Sequence, residues 1–357
     1  MISLGAVQSL DYFIMAISGL TFLGCAAAAL AVVPWTKAVR RLDVLVEFSI
    51  YWKSRLFLVL IGAFWVLAQW LRLEAIWEPG SHIMPQRVTS WGSEGWMCRV
   101  YLCISLGALQ PLFLLTAMLL CQQSISHRKS LAGRSPNRRI IGQAAAWSAP
   151  MAVAQIILAW VSLGFAERVD MQHERSVLHH FFAPYSDGQG PAECGSDASC
   201  TRCYFPAAAC IASVIFCVVV GALLWRAALH MIHRVINRTL QRRLRAFLGL
   251  FVSALFVHEA AQSASVAASP FQWGHQIAWL ISFLALPVLV GATVLLLVVL
   301  PALDTLSAGQ AWKQAGGKLS EGPAAARHRP PEAIVELSSD SRIQKVEQQQ
   351  YDEDAQH

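Results

Sequence analysis

The chain's tightest group of chemically capable side chains is His258-Glu259-Ala-Ala-Gln262, near the middle of an apolar run from Ala246 to Ser269. An ionisable residue at the centre of a bilayer costs roughly 2.5–3.5 kcal/mol on insertion scales, so it is expected to face a protein interior. On a helix, His258 and Gln262 are four apart and Glu259 and Gln262 three apart, a spacing that gathers them on one side. Ser263 and Ser265 extend the polar character. Two readings fit this group. One is a ligand pocket or proton relay centred on Glu259. The other is an interhelical hydrogen-bond cluster that fixes helix orientation. Gln69, Gln110, Gln143 and Gln155 place amides in other apolar runs, where interhelical hydrogen bonding is the expected role.

The cysteines form a second group. Cys194, Cys200 and Cys203 lie in a long segment, about Ala166–Tyr204, and Cys98 opens the third apolar run. On an oxidising side these four can pair in three ways. The expectation is one bridge from Cys98 to a cysteine of the segment, pinning it over the mouth of a bundle. Cys200-x-x-Cys203, with His173, His179 and His180 nearby, also has zinc-ligand spacing, but a single such pair is a weak signal and no metal site is expected. Cys25, Cys103, Cys121, Cys210 and Cys217 fall inside apolar runs and read as small hydrophobes.

Enzyme templates fit poorly. The sequence offers no nucleophile elbow, no Gly-rich phosphate loop and no carboxylate pair with a clear partner. Only His258 lies well inside an apolar run, too few for a membrane metal hydrolase, and Gln276–Leu300 lacks the lysine that retinal needs. The expectation is a non-enzyme with no catalytic residues and no cofactor.

These groups need elements to hold them. Of 357 residues, 55% are hydrophobic and only 14% are charged. Soluble domains carry about 25% charged residues, so lipid is the solvent for most of this chain. Seven runs have the length of a spanning helix: Tyr12–Trp35, Leu56–Trp77, Met97–Cys121, Ile140–Phe165, Phe205–Leu229, Ala246–Ser269 and Gln276–Leu300. None alternates with period two, so the fold class is an all-α bundle of seven transmembrane helices in residues 1–303. Residues 1–10 lack Lys and Arg while Arg40 and Arg41 follow the first run, the reverse of a signal peptide.

Lysine and arginine concentrate in alternate loops. Lys37, Arg40, Arg41, Lys53 and Arg55 follow the first run. Arg128, Lys129, Arg134, Arg138 and Arg139 follow the third, and Arg234, Arg238, Arg242, Arg243 and Arg245 follow the fifth. The positive-inside rule then gives an outer N-terminus and a cytosolic C-terminus. Trp35, Trp52, Trp77, Trp96, Trp225 and Trp273 sit near run ends, where indole prefers the headgroup region, and Trp65, Trp147 and Trp160 are expected between helices. Arg72 and Glu74 are expected to reach the interface. Pro111, Pro150 and Pro287 are expected to bend their helices. The small residues Gly24–Ala29 and Ala144–Ala146 are expected to allow close helix approach.

The segment His230–Arg245 reads as a helical extension joining the fifth and sixth spans, with its arginines on anionic lipid or an acidic cytosolic partner. From about Asp304 the composition turns to Gly, Ala, Pro, Gln and charge, so residues 304–357 read as a disordered cytosolic tail. The basic residues fall in short blocks between apolar runs, which points to lipid rather than nucleic acid. The expected partners are the bilayer of the plasma membrane or an endomembrane, a cytosolic signalling protein and a small-molecule ligand.

Trp52-Lys-Ser-Arg55, Gln69-Trp-Leu-Arg72-Leu, and Trp96-x-Cys98-Arg99-x-Tyr101 with Leu106-Gly107 give Trp52–Cys121 its character, and Pro301-x-x-Asp304 closes the last run. This stretch resembles an uncharacterised family of plant seven-span proteins described as candidate G-protein-coupled receptors. The resemblance implies a receptor-like signalling protein whose layout covers about residues 10–305. It supplies no functional residues. The third run ends in Leu120-Cys121-Gln122-Gln123, without the acidic-Arg-aromatic triplet of the largest receptor class. A proton-coupled transporter or channel using Glu259, and a scaffold recruiting partners through its basic loops, are the alternative expectations.

Overall fold

The computed structural model describes residues 4–39, 51–73, 96–123, 136–169, 185–189, 199–203, 205–234, 238–268 and 272–303. All lie in one unit, Met1–Leu306. Among the described residues, seven helices are long and apolar enough to cross a bilayer. They are α1 (Leu4–Val39), α2 (Trp52–Ala68, then a 3-10 turn Gln69–Arg72), and α3 (Trp96–Tyr101, a π-helical stretch Leu102–Leu109, then Gln110–Gln123). Then come α4 (Pro136–Val169), α5 (Ala207–Arg234), α6 (Arg238–Val266) and α7 (Trp273–Val294, then a π-helical stretch Leu295–Val299).

Between α4 and α5, β1 (Tyr185–Gln189) pairs antiparallel with β2 (Ser199–Cys203), with Tyr185 opposite Cys203 and Gly188 opposite Cys200. The seven-helix bundle itself is all-helical, as expected, and the hairpin is a local addition to it. Hydropathy registers spanning runs but carries no signal for a short polar hairpin. The ends of the bundle are named here the hairpin end and, for Arg238–Arg245, the arginine end.

Packing follows helical spacing. On α1 the buried residues Asp11, Ile14, Ser18, Cys25 and Val32 form one stripe. On α4 the stripe is Asn137, Ile140, Ala144, Ser148, Met151, Gln155 and Ala159, at steps of three or four. The opposite faces expose Leu20, Leu23, Leu30, Val153 and Ile157. Continuous exposed apolar surface of this kind is what a bilayer covers. The main core joins α2, α3, α5, α6 and α7 through Leu58, Trp65, Phe113, Leu224, Phe251 and Leu286. A second cluster, with Ile14, Tyr101, Phe205, Trp279 and Phe283, lies at the hairpin end.

Several local expectations change. α2 begins at Trp52 rather than Leu56, because Lys53 and Arg55 can extend their heads from apolar stems. Lys53 Nζ lies 5.7 Å from the Trp52 ring centroid. Trp147 and Trp160, expected between helices, are 52% and 63% exposed, since α4 buries only one narrow stripe. Trp65 is fully buried as expected. Of the expected extension His230–Arg245, α5 carries the part to Arg234 and α6 the part from Arg238, and residues 235–237 lie outside the described residues. Gln241 Nε2 donates to Ile232 O at 3.0 Å and ties the two ends.

Of the small residues expected to allow close approach, Ala144 is fully buried and Ala28 and Ala29 pack against the core, whereas a Cβ on Gly24 would meet nothing within 4 Å. A Cβ on Gly107 would lie 3.1 Å from Gln155 Cβ of α4, and one on Gly62 would lie 2.9 Å from Val290 Cγ1 of α7. Gly107 is also four residues before Pro111, where the proline ring meets the preceding turn. The π stretch widens that turn, so α3 continues through Pro111. α4 and α7 likewise continue through Pro150 and Pro287.

Candidate functional site

Two polar layers cross the bundle. The middle layer centres on Glu259 of α6, 7% exposed. Gln110 Nε2 of α3 donates to Glu259 Oε1 at 2.5 Å. From α5, Ser213 Oγ lies 3.3 and 3.2 Å from its two carboxyl oxygens, and Cys217 Sγ lies 3.1 Å from Oε1. Cys217, expected as a small hydrophobe, thus works as a polar partner. A regular α6 aims Glu259 at α3 and α5, whereas His258, one residue earlier, points to α7. His258 Nδ1 is 2.8 Å from Ser282 O and 3.0 Å from Ser282 Oγ. A carbonyl only accepts, so Nδ1 carries the hydrogen. The His258 ring stands edge-on to Trp65 of α2 at 5.8 Å.

Gln262 lies between these two directions. At about 100° per residue it falls roughly 40° from His258 and about 60° from Glu259, one turn nearer the hairpin end. It is 1% exposed, yet neither its amide nitrogen nor its amide oxygen has a hydrogen-bond partner. Gln110 Oε1 and Trp65 Nε1, also buried, have none. An unsatisfied buried polar atom costs about 1–3 kcal/mol. Four of them around the same two turns of α6 are more than a closed structural network leaves.

The second layer lies at the hairpin end and centres on Arg72, 8% exposed. This corrects the expectation that Arg72 reaches the interface; Glu74 lies outside the described residues. The cause is local. In a 3-10 helix residues i and i+3 eclipse, so the Gln69–Arg72 turn puts both side chains on one inward face. The Arg72 guanidinium lies 4.2 Å from the Phe205 ring centroid and 4.8 Å from that of Trp279. Its Nη2 donates to His275 Nε2 at 3.2 Å and to Cys203 O at 3.5 Å. His275 Nδ1 is 2.8 Å from Ser265 O, which fixes the hydrogen on Nδ1 and leaves Nε2 to accept. Tyr101 and Asp11 lie within interaction range of the guanidinium, yet Nη1 makes no hydrogen bond of normal geometry. Tyr101 OH donates to Gln69 Oε1 at 3.0 Å, and Gln69 Nε2 donates to Ser105 Oγ at 3.4 Å.

Cys98 and Cys203 are bridged, with Cα atoms 5.5 Å apart. The expected tether from the third helix to the long segment is therefore present, and it fixes β2 where Cys203 O meets Arg72. Cys200 sits in β2, and Cys194 lies outside the described residues. With Cys203 bridged, Cys200-x-x-Cys203 is not a free thiol pair. No group of three or more His, Cys, Asp or Glu suited to a metal occurs among the described residues.

At the arginine end, Arg238, Arg242 and Arg245 are exposed and Arg243 is half-buried; the Arg234 side chain lies outside the described set. His275 precedes the seventh apolar run, but α7 starts at Trp273 and buries it.

The seven apolar helices and their buried polar layers define a multi-pass membrane protein. The family model described as Uncharacterised conserved protein UCP031277 matches residues 10–314, and the chain belongs to that family. No curated protein matches the chain.

Proposed function

We propose that this protein is a receptor-like membrane protein that takes a small polar ligand in the bundle interior and signals through its arginine end. The observation that carries this reading is the set of orphaned polar atoms on Gln262, Gln110 and Trp65 beside Glu259. A purely structural hydrogen-bond cluster would spend them within itself, because lipid supplies no partner. A ligand with donors and acceptors would use them. α6 links this layer to the other end of the bundle, since one unbroken helix carries both Gln262 and Arg238–Arg245. A shift of that helix on ligand binding moves the arginines as well. The hairpin tethered by Cys98–Cys203 lies at the ligand's expected entry side.

The test is affinity capture of the full-length protein from native membranes, beside a variant with Arg242, Arg243 and Arg245 changed to Ala. The expected result is a G-protein subunit recovered with the parent and lost with the variant. Recovery of no signalling partner with either protein overturns the receptor reading. Proton-coupled transport through Glu259, assayed with Glu259→Gln, is then the reading to pursue.

A further inference from the structure

We infer that Arg72 is an anion subsite that receives the carboxylate of a small organic ligand. The inference rests on the reading of the bundle interior as a ligand site and names the chemistry that site selects.

The guanidinium carbon lies 4.2 Å from the Phe205 ring centroid and 4.8 Å from that of Trp279. The aromatic rings attract the cation and leave its N–H groups to hydrogen-bond elsewhere. One edge is used, because Nη2 meets His275 Nε2 and Cys203 O. Nη1 is buried and makes no hydrogen bond of normal geometry, with Tyr101 within interaction range of the guanidinium. An ordered, planar donor edge in a low-dielectric interior matches a carboxylate better than any neutral group.

The position agrees. His275 joins Arg72 to Ser265 of α6, and Gln262, with both amide atoms unpartnered, is one helical turn further in. A ligand with a carboxylate at Arg72 and a neutral donor or acceptor toward Gln262 would satisfy both. β2 closes over this subsite through Cys203.

The experiment uses full-length protein in detergent with sodium benzoate as the probe, benzamide as its neutral isostere, and matched sodium chloride as the salt control. Thermal melting and tryptophan fluorescence are read together, because Trp279 covers the guanidinium. Benzoate is expected to raise the melting temperature and change the fluorescence at concentrations at least tenfold below those at which benzamide acts. Arg72→Lys keeps the charge but loses the fork, so the half-saturating benzoate concentration should rise about tenfold. Arg72→Gln should abolish the discrimination. Equal responses of the parent to benzoate and benzamide, or no response to either, overturn the subsite even if the Arg72 variants fail to fold. An undiminished benzoate response in a folded Arg72→Gln protein also overturns it. Capture of a G-protein subunit without benzoate discrimination removes the subsite and leaves the receptor reading. Benzoate discrimination without any signalling partner does the reverse.

Discussion

The two polar layers of the bundle are built differently. At the hairpin end a permanent cation is buried, and the surroundings enclose it with two rings, an imidazole nitrogen and a strand carbonyl. The backbone there leaves α geometry in two helices, at Gln69 in α2 and at Leu102 in α3. In the middle layer α5 and α6 are regular helices. Neutral amide, hydroxyl and thiol groups surround one carboxylate, and four buried polar atoms are left over. A buried guanidinium left unenclosed would be costly, so the hairpin layer must hold the fold as well as offer an edge to a ligand. The middle layer can keep unused hydrogen-bonding capacity at smaller cost.

If that division is right, the largest effect comes from releasing the hairpin. Changing Cys98 and Cys203 together to Ser removes a bridge between residues 105 apart in sequence. Loss of a native disulfide costs about 2–5 kcal/mol. Thermal melting in detergent should fall by several degrees, and acrylamide should quench tryptophan more readily as β2 lifts from Arg72 and Trp279. A melting temperature equal to the parent's would mean that Arg72 and its partners hold the strand unaided.

A smaller effect separates tight from loose packing below the layers. Gly62→Ala puts a Cβ 2.9 Å from Val290 Cγ1 and 3.0 Å from Phe113 Cε2. Overpacking costs about 1–3 kcal/mol, so the melting temperature should drop by a few degrees. Gly24→Ala meets nothing within 4 Å and should be neutral or slightly stabilising through helix propensity. Equal melting of the two variants would show that α7 yields at Val290, and that the core is looser than the contact implies.

The middle layer was legible in the sequence because it obeys regular spacing. Gln262 is three residues from Glu259 and four from His258 on one helix, offsets that place it between them on the inward side, although Glu259 and His258 turn to different neighbours. The seven spans were legible for the same kind of reason, since length and apolarity are one-dimensional. The hairpin layer was not. Arg72 turns inward only because the chain tightens to 3-10 geometry at Gln69, and no residue type there announces that turn. His275 was hidden by a helix that starts three residues earlier than its hydropathy does. The Cys98 tether could be expected from location, but its partner among three cysteines is set by the β1–β2 register, which only folding decides.

The smallest stability effect bears most directly on function. Gln262→Leu exchanges an amide without partners for an apolar group of similar size. Removing an unsatisfied buried polar group is nearly neutral or stabilising, so melting should change by less than about 1 kcal/mol equivalent. Gln110→Leu is the contrast. Its Nε2 is shared among Glu259, Ser213 and Cys217, and the change should cost about 1–3 kcal/mol by stranding those groups. If Gln262→Leu melts with the parent but no longer recovers the G-protein subunit, the amide serves a ligand and not the scaffold. If it instead destabilises as much as Gln110→Leu, Gln262 is bound within the bundle. The orphaned atoms then cease to argue for a ligand site, and the middle layer becomes as structural as the hairpin layer above it.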